Sequence, residues 1–395
     1  MKLGRWARLL LAAAPLLIGF GAGCGDFWQA PSGGSGTCTT NCTTATSGNF
    51  YILNAGTTPQ IVGESIVSGT LTALTGSPWT VQGTPYAMDI APNGSFLCVS
   101  TTSGVFAYPL SSGKLGTATV VSTDQAYAIQ VDATDSWLVE AIQGTGGVTL
   151  GAVPINSTTG ANNGSEVTAS FAVTNAAVQP NKMVISADNS NIFVALGAGG
   201  TIVVPFSATT PFPTGIKATT IPVANSGGSA LSVGVDPSST PRLFYIGETL
   251  ANSAANSGGL RAFNYSSLGT SQLTEATGSP IASGGLAPNF ILPIASGAYV
   301  YVANGAGTST AGNVAGFAIG ASGTTYSLSA GSTVSAGVQP LGLAEDSSST
   351  FVLAVGSLGS PYFDAYTFDA TTAGQLDSQI TSSTAAASLA IVAAP

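Results

Sequence analysis

The stretch YVYVANG, Tyr299 to Gly305, is a strand-prone run closed by a turn former. An apolar run without alternation predicts a strand covered on both faces. Six further segments share this character: FYILNAG from Phe50, FLCVSTT from Phe96, WLVEAIQ from Trp137, IFVALGA from Ile192, LFYIGET from Leu243 and FVLAVGS from Phe351. Their starts lie about 50 residues apart, a period in the range of propeller blades.

The flanks repeat as well. Upstream of all but the first lies a second apolar segment: PYAMDIAPNG from Pro85, AYAIQVDATD from Ala126, PNKMVISADN from Pro180, SALSVGVDPS from Ser229, PNFILPIASG from Pro288 and PLGLAEDSSS from Pro340. Each runs into a polar or Gly-containing hairpin turn. Downstream of every member comes a strand with an aromatic or β-branched centre, such as GVFAYPL or YFDAYTF. The first unit lacks its preceding segment, while the chain ends on a spare one, AASLAIVAAP. The expected fold is therefore all-β: a seven-bladed β-propeller with four-stranded antiparallel blades over residues 49–395. The N- and C-terminal strands are expected to share one blade, which leaves no open edge in the ring. An open solenoid or a pair of sandwiches does not explain the missing first strand and the spare last one.

Composition agrees with this class. Only 6% of the 395 residues are charged and 44% are hydrophobic, too apolar and too little charged for disorder. The 51 glycines, with abundant Ser, Thr and Asn, suit many tight turns. Removing Lys2, Arg5 and Arg8 leaves five cations against 17 acids. No cluster of Lys and Arg is available for phosphate contacts, so nucleic acid is excluded as an expected partner.

MKLGRWARLLLAAAPLLIGFGAGC reads as a basic start, an apolar run too short for a membrane span, and small residues before a cysteine. Residues 1–23 are the expected signal peptide. GAGC, Gly21 to Cys24, resembles the bacterial lipobox, although Gly21 stands where that family usually carries an aliphatic residue. The resemblance implies lipidation of Cys24, a membrane anchor in the bacterial cell envelope and, with Gly25 following, outer-membrane sorting. Residues 24–48 then form a flexible Gly/Ser/Thr-rich tether. Cys38 and Cys42 inside it are candidates for a disulfide in an exported chain, with free thiols or intermolecular pairing as alternatives. Cys98 reads as a small core residue.

The repeat phrase, the segments before it and the blade period resemble the YVTN-repeat and lactonase-like propellers. That resemblance spans roughly Asn49 to Pro395 and implies the fold; its lactonase members imply hydrolysis of a sugar-acid lactone. One fold hosts many activities.

The chain contains no histidine, which removes Ser-His-Asp and Cys-His catalysis and His-ligated metals. No nucleotide loop, nucleophile elbow or EF-hand pattern occurs. No cofactor or metal is expected. A propeller binds ligands where its loops converge on the channel, and candidate residues there are Asn54, Tyr86, Asp89, Tyr127, Lys182, Glu248, Asn289, Asn304 and Gln339. Amides, hydroxyls and aromatics of this kind suit a carbohydrate or a protein ligand. The same residue types also follow strands because they tolerate turn geometry. Asp89 and Glu140 lie on or beside strands, where paired acids serve glycoside hydrolysis, but no spacing singles out a catalytic couple. Arg261 and Glu248 read as an ion pair. The expected function is a non-catalytic binding or interaction module of the cell envelope. The alternatives are a lactonase-like hydrolase of a neutral sugar lactone and a structural surface protein.

Overall fold

In the strand Tyr299–Gly305 successive side chains point to opposite faces, and both faces are covered. Val300 and Val302 pack with Leu243, Tyr245 and Leu260. Tyr301 and Ala303 pack on the other side with Leu343, Val352 and Ala354. The same division separates Phe50 and Ile52 from Tyr51 and Leu53. A strand that meets a neighbouring sheet on each face needs apolar residues at every position, which is why these runs do not alternate. Fully burying one Val, Leu or Phe contributes about 1.5–3 kcal/mol, so face-to-face stacking carries the fold.

The computed structural model describes residues 46–173, 178–253, 257–305, 311–323, 325–358, 361–382 and 387–395. The expected signal peptide, residues 1–23, and Cys24, Cys38 and Cys42 lie outside the described residues. Cys98 is buried with a free thiol.

The chain is an all-β propeller of antiparallel sheets. The innermost strands are Pro85–Ile90, Ala126–Val131, Lys182–Ile185, Ala230–Val235, Ala287–Pro293, the end of Thr325–Glu345, and Ser388–Ala393. Each packs against the next and the last against the first, in a closed circuit around a channel. The closing step is the pairing of Ser388–Ala393 with Asn49–Asn54, in which Phe50 faces Ala393 and Ile52 faces Ile391. Ser388 Oγ donates to Asn54 Oδ1 at 2.8 Å and locks the register there.

Hydrogen bonding departs from seven separate four-stranded blades. Among the described residues it gives six sheets, one of them seven-stranded. The fusion has a simple cause: Thr325–Glu345 runs without a break, pairing first with Ala311–Ser322 and then with Phe351–Leu358. In two other sheets the outer edge is split. Gln60–Val67 takes both Thr70–Ala73 and Trp79–Thr80, and Gly104–Ser111 takes both Lys114–Leu115 and Thr119–Ser122.

The turns after the inner strands are held by buried side chains. Asp132 accepts from the Ser136 and Trp137 N–H groups at 2.8 and 2.7 Å. Asp346 accepts in the same way from Thr350 and Phe351 at 2.8 and 2.6 Å. These are Asx-type turns that fix the hairpins leading into Trp137–Gly144 and Phe351–Leu358.

Two other buried acids lack such support. Glu64 is 3% exposed with Oε2 unpartnered, and burial pushes its carboxyl up to about 8. Burial likewise pushes Asp364 up to about 7, opposed by the Gly337 N–H. The folded state holds protons that the unfolded chain releases near pH 4. Their contribution is therefore complete below about pH 4 and is lost as pH rises toward 7–8. Thermal unfolding should show a higher Tm at pH 5.5 than at pH 8.5. Glu64→Gln should flatten that dependence and stabilise the protein at pH 8.5 by about 1–3 kcal/mol.

Candidate functional site

An inner strand gives one edge to its own sheet and leaves the other facing the channel, where its polar backbone groups need partners. Side chains from the adjacent inner strand supply them. Asp89 Oδ2 accepts from the Val131 N–H at 2.8 Å, and Gln130 Oε1 accepts from the Ile185 N–H at 2.6 Å. The two acceptors occupy the same position in successive repeats. Carbonyls are met similarly: Asn181 Nδ2 donates to Ala230 O at 2.9 Å, Ser232 Oγ to Pro288 O at 2.6 Å, and Asn289 Nδ2 to Pro340 O at 3.0 Å.

A bulge recurs near the start of the inner strands. The register shifts between Pro85 and Ala87, Ala126 and Ala128, and Pro288 and Phe290, leaving Tyr86, Tyr127 and Asn289 outside the ladder. A residue displaced in this way is re-aimed away from its sheet. The rings of Tyr86 and Tyr127 meet with centroids 4.8 Å apart.

Below them lies a cavity of about 250 Å³ lined by residues that include Asp89, Tyr127, Gln130, Asn181, Lys182 and Phe290. Lys182 has no hydrogen-bond or ion-pair partner among the described residues. Its Nζ sits 5.3 Å from the Phe290 ring centroid, within reach of a cation–π contact. Lys182 and Asp89 keep some accessible surface within the cavity, yet both are enclosed by protein. That enclosure pulls the Lys182 ammonium down to about 8. It also pushes the Asp89 carboxyl up to about 7, against the lowering effect of the Val131 N–H. The cavity thus holds one acid and one base with values near neutrality, the pattern expected of proton-transfer sites.

Of the residues singled out by sequence, Asp89, Tyr127 and Lys182 come together at this cavity, with the Tyr86 ring tilted against Tyr127. The others are placed differently. Asn54 is tied to Ser388. Asn304 is fully buried and donates to Ser283 O and Asn313 Oδ1. Asn289 bonds the Pro340 carbonyl, and Gln339 accepts from Ser357 Oγ at 3.2 Å. Glu248 is 1% exposed and sits in an ion-pair network away from the cavity lining. Gln130, Asn181, Ser232 and Phe290 were not singled out, although aligning AYAIQV under PYAMDI puts Gln130 directly beneath Asp89.

Elsewhere, Glu140 is buried in the sheet that contains Ala126–Val131, and folding brings it beside Asp124 and Glu166. No sequence spacing announces that trio.

No protein-family description matches the sequence, and no curated protein does. Solved structures do. A Bacteroides uniformis protein provisionally assigned as a 6-phosphogluconolactonase superposes with a TM-score of 0.66 at 16% identity, covering 87% of this chain and 98% of its own. The periplasmic gluconolactonase of Pseudomonas aeruginosa gives 0.63 at 15%, covering 89% and 100%. A second provisional 6-phosphogluconolactonase, from Bacteroides fragilis, gives 0.63 at 12%, covering 89% and 99%. The chain is similar to these proteins in fold, as a β-propeller.

Arg261 tests the structural assignment of Glu248. Its guanidinium, 12% exposed, bridges Glu248 at 2.9 Å and Glu275 at 2.8 Å. Arg261→Ala would leave Glu248 buried and unpaired, a loss of about 3–5 kcal/mol in urea unfolding. The cavity residues should be unaffected in the remaining folded protein.

Proposed function

We propose that the chain hydrolyses a neutral sugar lactone in the channel cavity. The observation that carries this reading is Lys182, an ammonium without a partner, in the same cavity as the carboxyl of Asp89. Lactone hydrolysis needs a base for the attacking water and positive charge for the oxyanion that forms. Asp89 takes the proton as the water oxygen bonds to the ester carbonyl, and Lys182 faces the oxyanion. The ring C–O bond then breaks, Asp89 returns the proton to the departing oxygen, and the acid product gives its remaining proton to water, its carboxylate lying against Lys182. Tyr127 and Phe290 offer aromatic faces to the sugar ring. The fold neighbours named as gluconolactonase and provisional 6-phosphogluconolactonases support this class. A single unpaired cation favours a neutral lactone over a phosphorylated one.

We further propose that the ring has seven blades, the seven-stranded sheet being two of them joined through Thr325–Glu345. The closed circuit of inner strands supports that count. Export and lipidation at Cys24 belong to the same proposal: palmitate should label the wild type and not Cys24→Ala, and an unlabelled wild type ends it.

The activity is tested with glucono-1,5-lactone in a pH-stat. Turnover should rise as Asp89 ionises near pH 7 and fall as Lys182 loses its proton near pH 8. Lys182→Met and Asp89→Asn should each lower kcat/KM about 100-fold. Asp89→Asn keeps an acceptor for Val131, as Gln130 does for Ile185, so its fold should survive. No rate above the spontaneous one, or an unchanged Lys182→Met, contradicts the proposal. Lactone retained without turnover would return the chain to a carbohydrate-binding module.

A further inference from the structure

We infer a calcium-binding site beside the segment that joins the sheet of Pro85–Ile90 to the sheet of Ala126–Val131, with Asp124, Glu140 and Glu166 as its ligands. Asp124 comes from the segment that joins the two sheets, Glu140 from the strand Trp137–Gly144, and Glu166 from the residue before Val167–Ala172. One carboxylate oxygen from each lies within 4.8 Å of the others. Oxygens at about 2.3–2.6 Å from a common calcium lie at most about 5 Å apart, so the trio fits that ion as it stands. Magnesium, at about 2.0–2.1 Å, demands a tighter octahedral arrangement.

Two further observations point to a ligand. Glu140 is 0% exposed, and neither of its carboxylate oxygens has a hydrogen-bond partner. Burial and the neighbouring Glu166 push its carboxyl up to about 8, and the Ser122 side chain opposes this only in part, without completing hydrogen-bond geometry. Glu166 Oε1 is also buried and unpartnered. A buried carboxylate without a donor is costly unless a cation or a proton compensates it. No cation among the described residues does so. Among the described residues, the ion pairs are those of Arg242 and Arg261 with Asp236, Glu248 and Glu275. Room for the site is made by Gly151, where a Cβ would come within 1.9 Å of Glu166 Oε1. Hard oxygen donors, without His or thiolate, select calcium over zinc or copper. Waters and backbone carbonyls would complete the coordination. The bound ion would tie the segment that joins the two sheets to the strands Trp137–Gly144 and Val167–Ala172. This site is separate from the channel, and its test does not depend on lactonase activity.

The test uses the full chain, dialysed against EDTA and titrated with calcium chloride by calorimetry and thermal unfolding. One ion per chain should bind saturably. At a hundredfold excess over Kd, Tm should rise on the order of 5 °C. Glu140→Gln and Glu166→Gln should weaken binding at least tenfold and remove the Tm shift. Asp124→Asn, in a half-buried segment less critical to the core, should weaken binding while leaving the calcium-free Tm no lower, because it removes a like charge beside Glu140 and Glu166. An equal Tm rise in sodium chloride of matched ionic strength would reduce the effect to screening and overturn the proposal. So would a wild type indifferent to calcium alongside a Glu140→Gln of equal or greater stability; the three acids would then share protons.

Discussion

Each inner strand of the propeller meets a strand on one side and the open channel on the other. The backbone groups along the channel edge have no ladder to join, and an unpaired buried amide costs about as much as a lost hydrogen bond. Asp89, Gln130, Asn181, Ser232 and Asn289 answer that demand, each reaching to the neighbouring inner strand. Polar side chains that suggest a binding surface are thus partly committed to holding the ring together. Lys182 is the exception. It lines the same cavity, satisfies no backbone group and keeps its charge available.

Stacking sets the scaffold on which this happens. Apolar clusters join successive groups of strands, and one of them unites Phe50 and Ile52 with Phe351 and Leu353 from the other end of the chain. Such interfaces constrain the faces of the strands and say little about their ends. Bulges at Tyr86, Tyr127 and Asn289 exploit that freedom. They leave the stacked faces intact while turning one residue per strand out of its ladder.

The repeat was legible because doubly covered strands admit only apolar residues, so YVYVANG and its relatives stand out from a Gly- and Ser-rich background. Closure was legible for a related reason: a missing first strand and a spare last one can satisfy each other. The unbroken course of Thr325–Glu345 was not, since Gly337 and Pro340 flank Val338, where its hydrogen bonds switch partners, and read as a break between two strands. Lys182 was visible as a candidate, but its isolation depends on which neighbouring amides are already occupied. Asn304 misled because a turn-forming amide after a strand can point into a sheet interface as readily as into a channel. The Asp124, Glu140 and Glu166 trio was hidden more deeply. It exists because Gly151 removes a side chain from the facing strand, and no local pattern in the sequence pairs that glycine with Glu166.

The account rests on an enclosed, unpaired ammonium at Lys182. Its titration can be followed directly by NMR of protein labelled at the lysine side chains, with Lys182→Arg to assign the signal. The expected midpoint is about 8, moving upward when gluconate is added because a carboxylate partner favours the charged form. A midpoint near the ordinary lysine value of about 10.4, unmoved by gluconate, would mean that Lys182 stands in water and takes no part in a channel site.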